Sequence, residues 1–94
     1  MNTDELNQKL ANWIDLRGIL PDFTHSLDTC FMWLVSVLNR KGMRIHMLSQ
    51  PRGSEDFFCS IGGKWITYGY AYAETPSLAL CLALEELINR GRIV

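Results

Sequence analysis

The sequence predicts a single α+β domain, spanning 1–94, in which a three-stranded, mainly antiparallel sheet packs between helices. Apolar residues recur at helical spacing in three segments, and between 43 and 72 their period changes to two. Within that stretch, Gly62 and Gly63 indicate a tight reversal between two strands. The predicted order is α-α-β-β-β-α, an alpha/beta/alpha sandwich.

The first helix is expected to begin at Thr3, to run to about Arg17 and to end at Gly18. One face of it carries the apolar residues Leu6, Leu10, Trp13 and Ile14. A second helix, capped by Thr24 or Ser26, is expected to run to about Arg40. Its core stripe consists of Leu27, Cys30, Phe31, Leu34, Val37 and Leu38.

Three strands follow. In the first, Met43, Ile45 and Met47 alternate with Arg44 and His46, and the second and third cover 57–61 and 64 to about 72. A two-residue turn at the paired glycines sets the register of the last two strands. It predicts a core face made of Phe57, Cys59, Ile61, Ile66, Tyr68 and Tyr70.

The opposite sheet face then carries Phe58, Ser60, Trp65 and Thr67. Large aromatic side chains need a cover, which is either the first helix or a partner.

The last helix starts at Thr75-Pro76, because threonine caps a helix and proline suits its first turn. It ends at Gly91, and its core residues are Leu80, Ala83, Leu84 and Leu87.

Three segments resemble the phage ABA sandwich domain family, whose small members occur in phages, prophages and bacteria. They are 6–13 (LNQKLANW), 20–24 (LPDFT) leading into the second helix, and 73–84 (AETPSLALCLAL). The loop at 51–54 departs from the family pattern. The resemblance implies an alpha/beta/alpha sandwich of mobile-element origin, with no catalytic residues to carry over.

Composition and charge disfavour several classes of function. The net charge of −1 gives no long-range attraction to nucleic acid, and no apolar run reaches the ~20 residues that span a bilayer. The N-terminus is acidic, unlike a signal peptide. The three cysteines, Cys30, Cys59 and Cys81, are unclustered and read as core residues in a reducing compartment. We therefore expect a cytoplasmic protein with no metal site and no cofactor.

No set of residues predicts an enzyme. His25 precedes Asp28 by three residues and Cys30 by five, but Cys30 belongs to the core stripe. Adjacent Glu85 and Glu86 point about 100° apart on a helix, so they do not face each other. A small hydrolase-like enzyme is therefore the least favoured reading.

The preferred reading is a non-enzymatic protein–protein interaction module, either a homodimer or a module with another protein partner. Its predicted contact residues are Met32, Trp33, Phe58, Trp65, Leu78 and Leu82. Filling of the groove between two packed helices explains the helical members of this set equally well. The alternative is a nucleic-acid-binding domain with the element order of double-stranded-RNA-binding domains. The acidic start of the last helix, at Glu74, disfavours it.

Overall fold

The computed structural model describes residues 3–64 and 66–91. Its elements are α1 (Thr3–Trp13), α2 (Leu27–Thr29), a π-helix (Cys30–Val35), α3 (Ser36–Arg40), β1 (Arg44–Ser49), β2 (Phe57–Gly62), β3 (Thr67–Ala73) and α4 (Pro76–Asn89). The sheet has the order β1-β2-β3 and both pairings are antiparallel. The predicted α+β class and element order are confirmed. No helix in the described part of the chain is long and apolar enough to cross a membrane.

Helix α1 ends four residues earlier than Arg17, the predicted end. The chain leaves the helix because Asp15 adopts a left-handed conformation with φ of 57°, and the Leu16 amide then donates to the Ala11 carbonyl at 2.9 Å. This hydrogen bond and the left-handed residue form a helix C-cap, a position at which glycine is more common than aspartate. Leu6 and Leu10 are buried as predicted.

The second helix forms one segment, 27–40, but its middle is a π-helix. Ser26 caps it by accepting a hydrogen bond from the Thr29 amide at 3.2 Å. Every fourth residue, at Cys30, Leu34 and Leu38, is buried. The prediction that Phe31 lies in the core stripe is wrong, since its side chain is 47% exposed. A π-helix has wider turns than the 3.6-residue wheel assumes, so the apolar face shifts.

The hairpin between β2 and β3 does not turn at the paired glycines. Gly62 still pairs with Thr67, and the Gly63 amide donates to the Ile66 carbonyl at 3.0 Å, so the pairing of the two strands continues to Gly63 and Ile66. A Cβ on Gly62 would lie 2.0 Å from the Ile66 carbonyl oxygen. Glycine is therefore required there for close backbone approach, and not for a primed turn.

This pairing changes the register. Phe57 pairs with Ala73, where the sequence predicted Tyr68. The shift of five residues is odd, and an odd shift moves alternate side chains to the other face. The prediction that Tyr70 lies on the core face is therefore wrong. A bulge in β1 between Ile45 and Met47 likewise breaks the predicted alternation there.

Helix α4 is the central layer of the molecule. It begins at its cap Thr75, whose hydroxyl accepts from the Leu78 amide at 3.2 Å. One side of it lies on β2 and β3, and other sides contact α1 and the π-helix. Its predicted core residues are all buried: Leu80, Ala83, Leu84 and Leu87. A helix with neighbours on several sides needs apolar residues nearly all round, as this one has.

Helix α1, one of the two covers considered for the second sheet face, lies against α4 instead. Lys9 Nζ is 3.4 Å from Glu85 Oε2 at this contact. Among the residues that the structure describes, none covers the second face of the sheet, where several large side chains are more than half exposed.

Candidate interaction surface

Two rows of side chains cross the open face of the sheet, one residue from each strand. The first row is Met47, Ser60 and Tyr70, and the second is Ser49, Phe58 and Tyr72. We call these six residues the open face. Partners across an antiparallel pair lie close enough for their side chains to touch. The open face is therefore a continuous surface.

The open face is apolar and uncharged. Its outer strands carry Met47, Tyr70 and Tyr72, which are 51%, 60% and 55% exposed. Phe58 on the central strand is half-buried. Its ring centroid lies 4.9 Å from that of Tyr72 and 6.0 Å from that of Tyr70, at tilted angles of 46° and 43°. These distances are typical of aromatic pairs that attract each other.

The predicted contact residues separate into two locations. Phe58 lies on the open face, and Trp65 lies outside the described residues. The other four are on helices: Met32 is 68% exposed, whereas Trp33, Leu78 and Leu82 are half-buried against the core. The open face thus contains one predicted contact residue, Phe58. It also contains Met47, Tyr70 and Tyr72, which the sequence did not predict as contact residues.

The polar residues near the start of α2 form a hydrogen-bonded cluster. The sequence paired His25 with Asp28, but the structure pairs it with Asp22, at 2.9 Å between Nδ1 and Oδ1. Asn7 Nδ2 and the Thr24 hydroxyl also donate to Asp22 Oδ1, each at 3.2 Å. The hydrogen bond from His25 is the main cause that lowers the pKa of the Asp22 carboxyl.

This Asp22–His25 pair lies at the surface, where the two side chains are 59% and 65% exposed. The cluster has a clear structural role. Asn7 Oδ1 accepts from the buried Thr24 amide at 3.1 Å, and the Thr24 carbonyl accepts from the Ser77 hydroxyl at 2.9 Å. It thereby ties α1, the loop before α2 and the first turn of α4 together.

His46 bridges the strand ends near the β2–β3 hairpin. Its Nε2 contacts the Gly63 carbonyl oxygen, and its Nδ1 lies 3.4 Å from the Thr67 hydroxyl. The ring is exposed, as the sequence predicted. These contacts hold β1 close to the β2–β3 hairpin. They give His46 a structural role.

All three cysteines are free and buried. Burial raises the pKa of the Cys59 thiol to about 12. The pKa of Cys81 is also raised, first by its hydrogen bond with Cys30 and then by burial. Among the residues that the structure describes, no group of three or more histidines, cysteines or acids is placed to hold a metal ion.

Two open clefts lie away from the open face in the described part of the chain, each of about 350 Å³. One is between the end of α1 and the following loop, and includes Gln8, Asn12 and Arg17. The other lies at the α3–β1 connection, beside Asn39 and Arg44. Neither is lined by a histidine, a cysteine or an acid, so neither brings together acid–base or nucleophilic groups.

No protein-family model, no curated protein and no solved structure matches this chain. Membership of the phage ABA sandwich family therefore stays a prediction from the residues that carry the resemblance.

Proposed function

We propose that this protein is a non-catalytic interaction module that associates with a second copy of itself through the open face. The observation that supports the proposal is the arrangement of Met47, Phe58, Tyr70 and Tyr72 in two uncharged rows across one side of the sheet. Single exposed apolar residues are ordinary on soluble proteins, but a contiguous group is typical of a contact surface.

A second copy fits this surface electrostatically. None of the six residues of the open face carries a charge, so two such faces meet without burying an unpaired ion. The net charge of the whole chain is only −1, which gives little repulsion between copies. A strongly charged partner, in contrast, would have no complementary group on these rows.

The shape of the open face also favours self-association. The second row has an exposed small residue, Ser49, beside the large Phe58, whereas Ser60 in the first row is only 5% exposed between Met47 and Tyr70. Side chains of two packed sheets interdigitate in a layer about 10 Å thick. A twofold axis through the face would let a large side chain of one copy lie over the exposed Ser49 of the other.

The size of the face limits the affinity. Three strands at ~4.8 Å spacing and two rows of side chains at ~6.6 Å spacing give roughly 200 Å² per copy. Stable complexes bury about 800 Å² per partner. We therefore expect a weak dimer that dissociates on dilution, with a Kd in the micromolar range or above.

Sedimentation velocity tests this directly. For the unmodified chain, the weight-average sedimentation coefficient should rise over a series from ~5 to ~500 µM, which brackets a weak interface. Tyr70→Lys places a charge in the first row and should abolish the rise. Tyr72→Phe keeps the ring and should preserve it. Met32→Lys, at the most exposed apolar residue of the helical layer, is the matched charge control and should also preserve it.

Circular dichroism must first show that each variant is folded. A monomer at every concentration would overturn the proposal. A loss of association in Met32→Lys, with retention in Tyr70→Lys, would assign the contact to the helical residues Met32, Trp33, Leu78 and Leu82 instead.

We extend the proposal to the setting in which the module acts. The resemblance to the phage ABA sandwich family supports a phage- or prophage-type protein. Three free, buried thiols are typical of a reducing compartment, which supports the cytoplasm. Fractionation of a host that carries the gene should place the protein in the cytoplasmic fraction, and recovery from the periplasm or membrane would contradict this setting.

A further inference from the structure

Two of the three cysteines meet where the π-helix packs on α4. The Sγ atoms of Cys30 and Cys81 are 3.7 Å apart, although 51 residues separate them in sequence. Both side chains are fully buried. The Cys30 thiol also donates to the Phe23 carbonyl at 3.0 Å. Cys30 and Cys81 thus form a thiol pair held between two elements of the core.

We propose that Cys30 and Cys81 are an oxidation site, at which a hydroperoxide joins the two thiols in a disulfide that ties the π-helix to α4. To form the bond, the sulfur atoms must approach from 3.7 Å to the ~2.05 Å of a disulfide. Side-chain rotation and a small shift of the packed helices supply this movement. The proposal is independent of self-association through the open face.

The chemistry balances with one peroxide for each disulfide. The thiolate of one cysteine attacks a peroxide oxygen, the O–O bond breaks, and a sulfenic acid and hydroxide result, the hydroxide becoming water with the proton that the thiol released. The second cysteine then attacks the sulfenic sulfur as its thiolate, so that the S–S bond forms and the S–O bond breaks. Hydroxide leaves and takes up a proton as water. Two thiols and one hydrogen peroxide become one disulfide and two waters.

The surroundings make this reaction slow in the closed structure. Burial and the hydrogen bond with Cys30 raise the pKa of Cys81, so its thiolate is scarce. Local opening of the helical segment should therefore precede oxidation. Cys30 is the first residue of the π-helix, and π-helices are rare elements that frequently occur at functional sites.

The sequence offers a clean assay for the linkage. Trypsin places each cysteine in a different peptide: 18–40, 53–64 and 65–90. The folded protein is incubated with hydrogen peroxide, alkylated and digested without reduction. We expect 18–40 linked to 65–90, with the mass of the intact chain lowered by two hydrogen atoms. The link should be reversed by dithiothreitol.

Two variants separate the proposed pair from the third thiol. Cys30→Ala should abolish the link, and Cys59→Ala, the matched control, should retain it. Because the disulfide closes a loop of more than 50 residues, oxidised Cys59→Ala should melt at a temperature higher by on the order of 10 °C than its reduced form. Cys30→Ala should show no such increase after the same treatment.

Several results would overturn the proposal. One is the absence of the link after prolonged oxidation of a chain that circular dichroism shows to be folded. Others are a link that contains 53–64, a link between two chains on a non-reducing gel, and a link that forms only in denaturant. Oxidation of single cysteines to sulfinic acid without a disulfide would equally contradict it.

Discussion

The two faces of β3 carry side chains of very different size. Toward α4 the strand presents Gly69, Ala71 and Ala73, and toward the open face it presents Tyr70 and Tyr72. The reason on the inner side is distance. A Cβ added at Gly69 would lie 3.0 Å from the Leu87 side chain and 3.1 Å from the Ala83 carbonyl oxygen. Small residues on β3 mark the line along which α4 approaches the sheet.

The tyrosines meet no such limit. Aromatic residues suit a pleated strand because they pack on their cross-strand neighbours, and nothing in the described part of the chain covers Tyr70 or Tyr72 closely. In one strand, residue size therefore indicates how near the next layer lies. The inner face should be sensitive to the loss or gain of a methyl group, whereas the open face should tolerate it in the monomer.

The largest contrast is expected on deletion of a large side chain from each face. Ile61 on the inner face is fully buried, and Ile61→Ala should lower the free energy of unfolding by about 3 kcal/mol through lost burial and the cavity left behind. Tyr72→Ala on the open face should cost less than about 1 kcal/mol. Urea unfolding at concentrations below self-association measures both. Equal losses would show that the open face is packed even in the monomer.

The next contrast concerns a gain of volume. Gly69→Ala should lower the free energy of unfolding by about 2 kcal/mol, because one of the three close atoms belongs to the α4 backbone and moves only with the helix. Combining it with Leu87→Ala should cost less than the sum of the two single changes, since the shortened side chain relieves part of the clash. Strict additivity would indicate that α4 does not press on Gly69.

Sequence reasoning was accurate where the signals are local. Thr75 and Pro76 determine the start of α4 through capping and a fixed backbone angle, and neither depends on distant residues. The core residues of α4 followed from their spacing alone. The end of α1 was misplaced because the left-handed residue is Asp15, which ends a helix far less often than the glycine at Gly18.

The candidate surface was harder to predict because it depends on register. A glycine pair favours a two-residue turn, but at Gly62 the glycine is needed where Ile66 approaches it. That non-local contact is invisible in the sequence. Because of this contact Tyr70 lies on the open face, which also carries Phe58, as the sequence predicts. The sequence of β3 does contain one indication, because tyrosines alternate there with Gly69 and Ala71. The small residues mark the face that lies close to another layer, and the tyrosines mark the opposite face.

Adjacent residues of β2 offer a finer contrast. Cys59 points toward α4 and is fully buried, and Cys59→Ser should lower the free energy of unfolding by about 1.5 kcal/mol because it places a hydroxyl in an apolar site. Ser60 lies on the open side of the strand but is only 5% exposed, and Ser60→Ala should change the free energy of unfolding by less than about 1 kcal/mol, because it removes a hydroxyl from a buried position and adds none. Thermal unfolding followed by circular dichroism distinguishes the two. A neutral Cys59→Ser would mean that a polar partner is within reach on the inner face.

The smallest expected effect lies within the open face itself. The rings of Phe58 and Tyr72 are 4.9 Å apart, and those of Phe58 and Tyr70 are 6.0 Å apart. A double-mutant cycle with leucine at both positions should give a coupling free energy of about 0.5 kcal/mol for the closer pair. The wider pair should give less.

Equilibrium unfolding in urea, again below the association range, measures these couplings. Two couplings of zero would mean that the aromatic rings do not form an ordered cluster in the monomer. A second copy would then have to order them on binding, at a cost in side-chain entropy that further weakens the dimer. A clear coupling between Phe58 and Tyr72 would instead show that the rings of the open face are already ordered in the monomer. The inner face of the sheet would then be a packed core, and the open face would be a preformed contact surface.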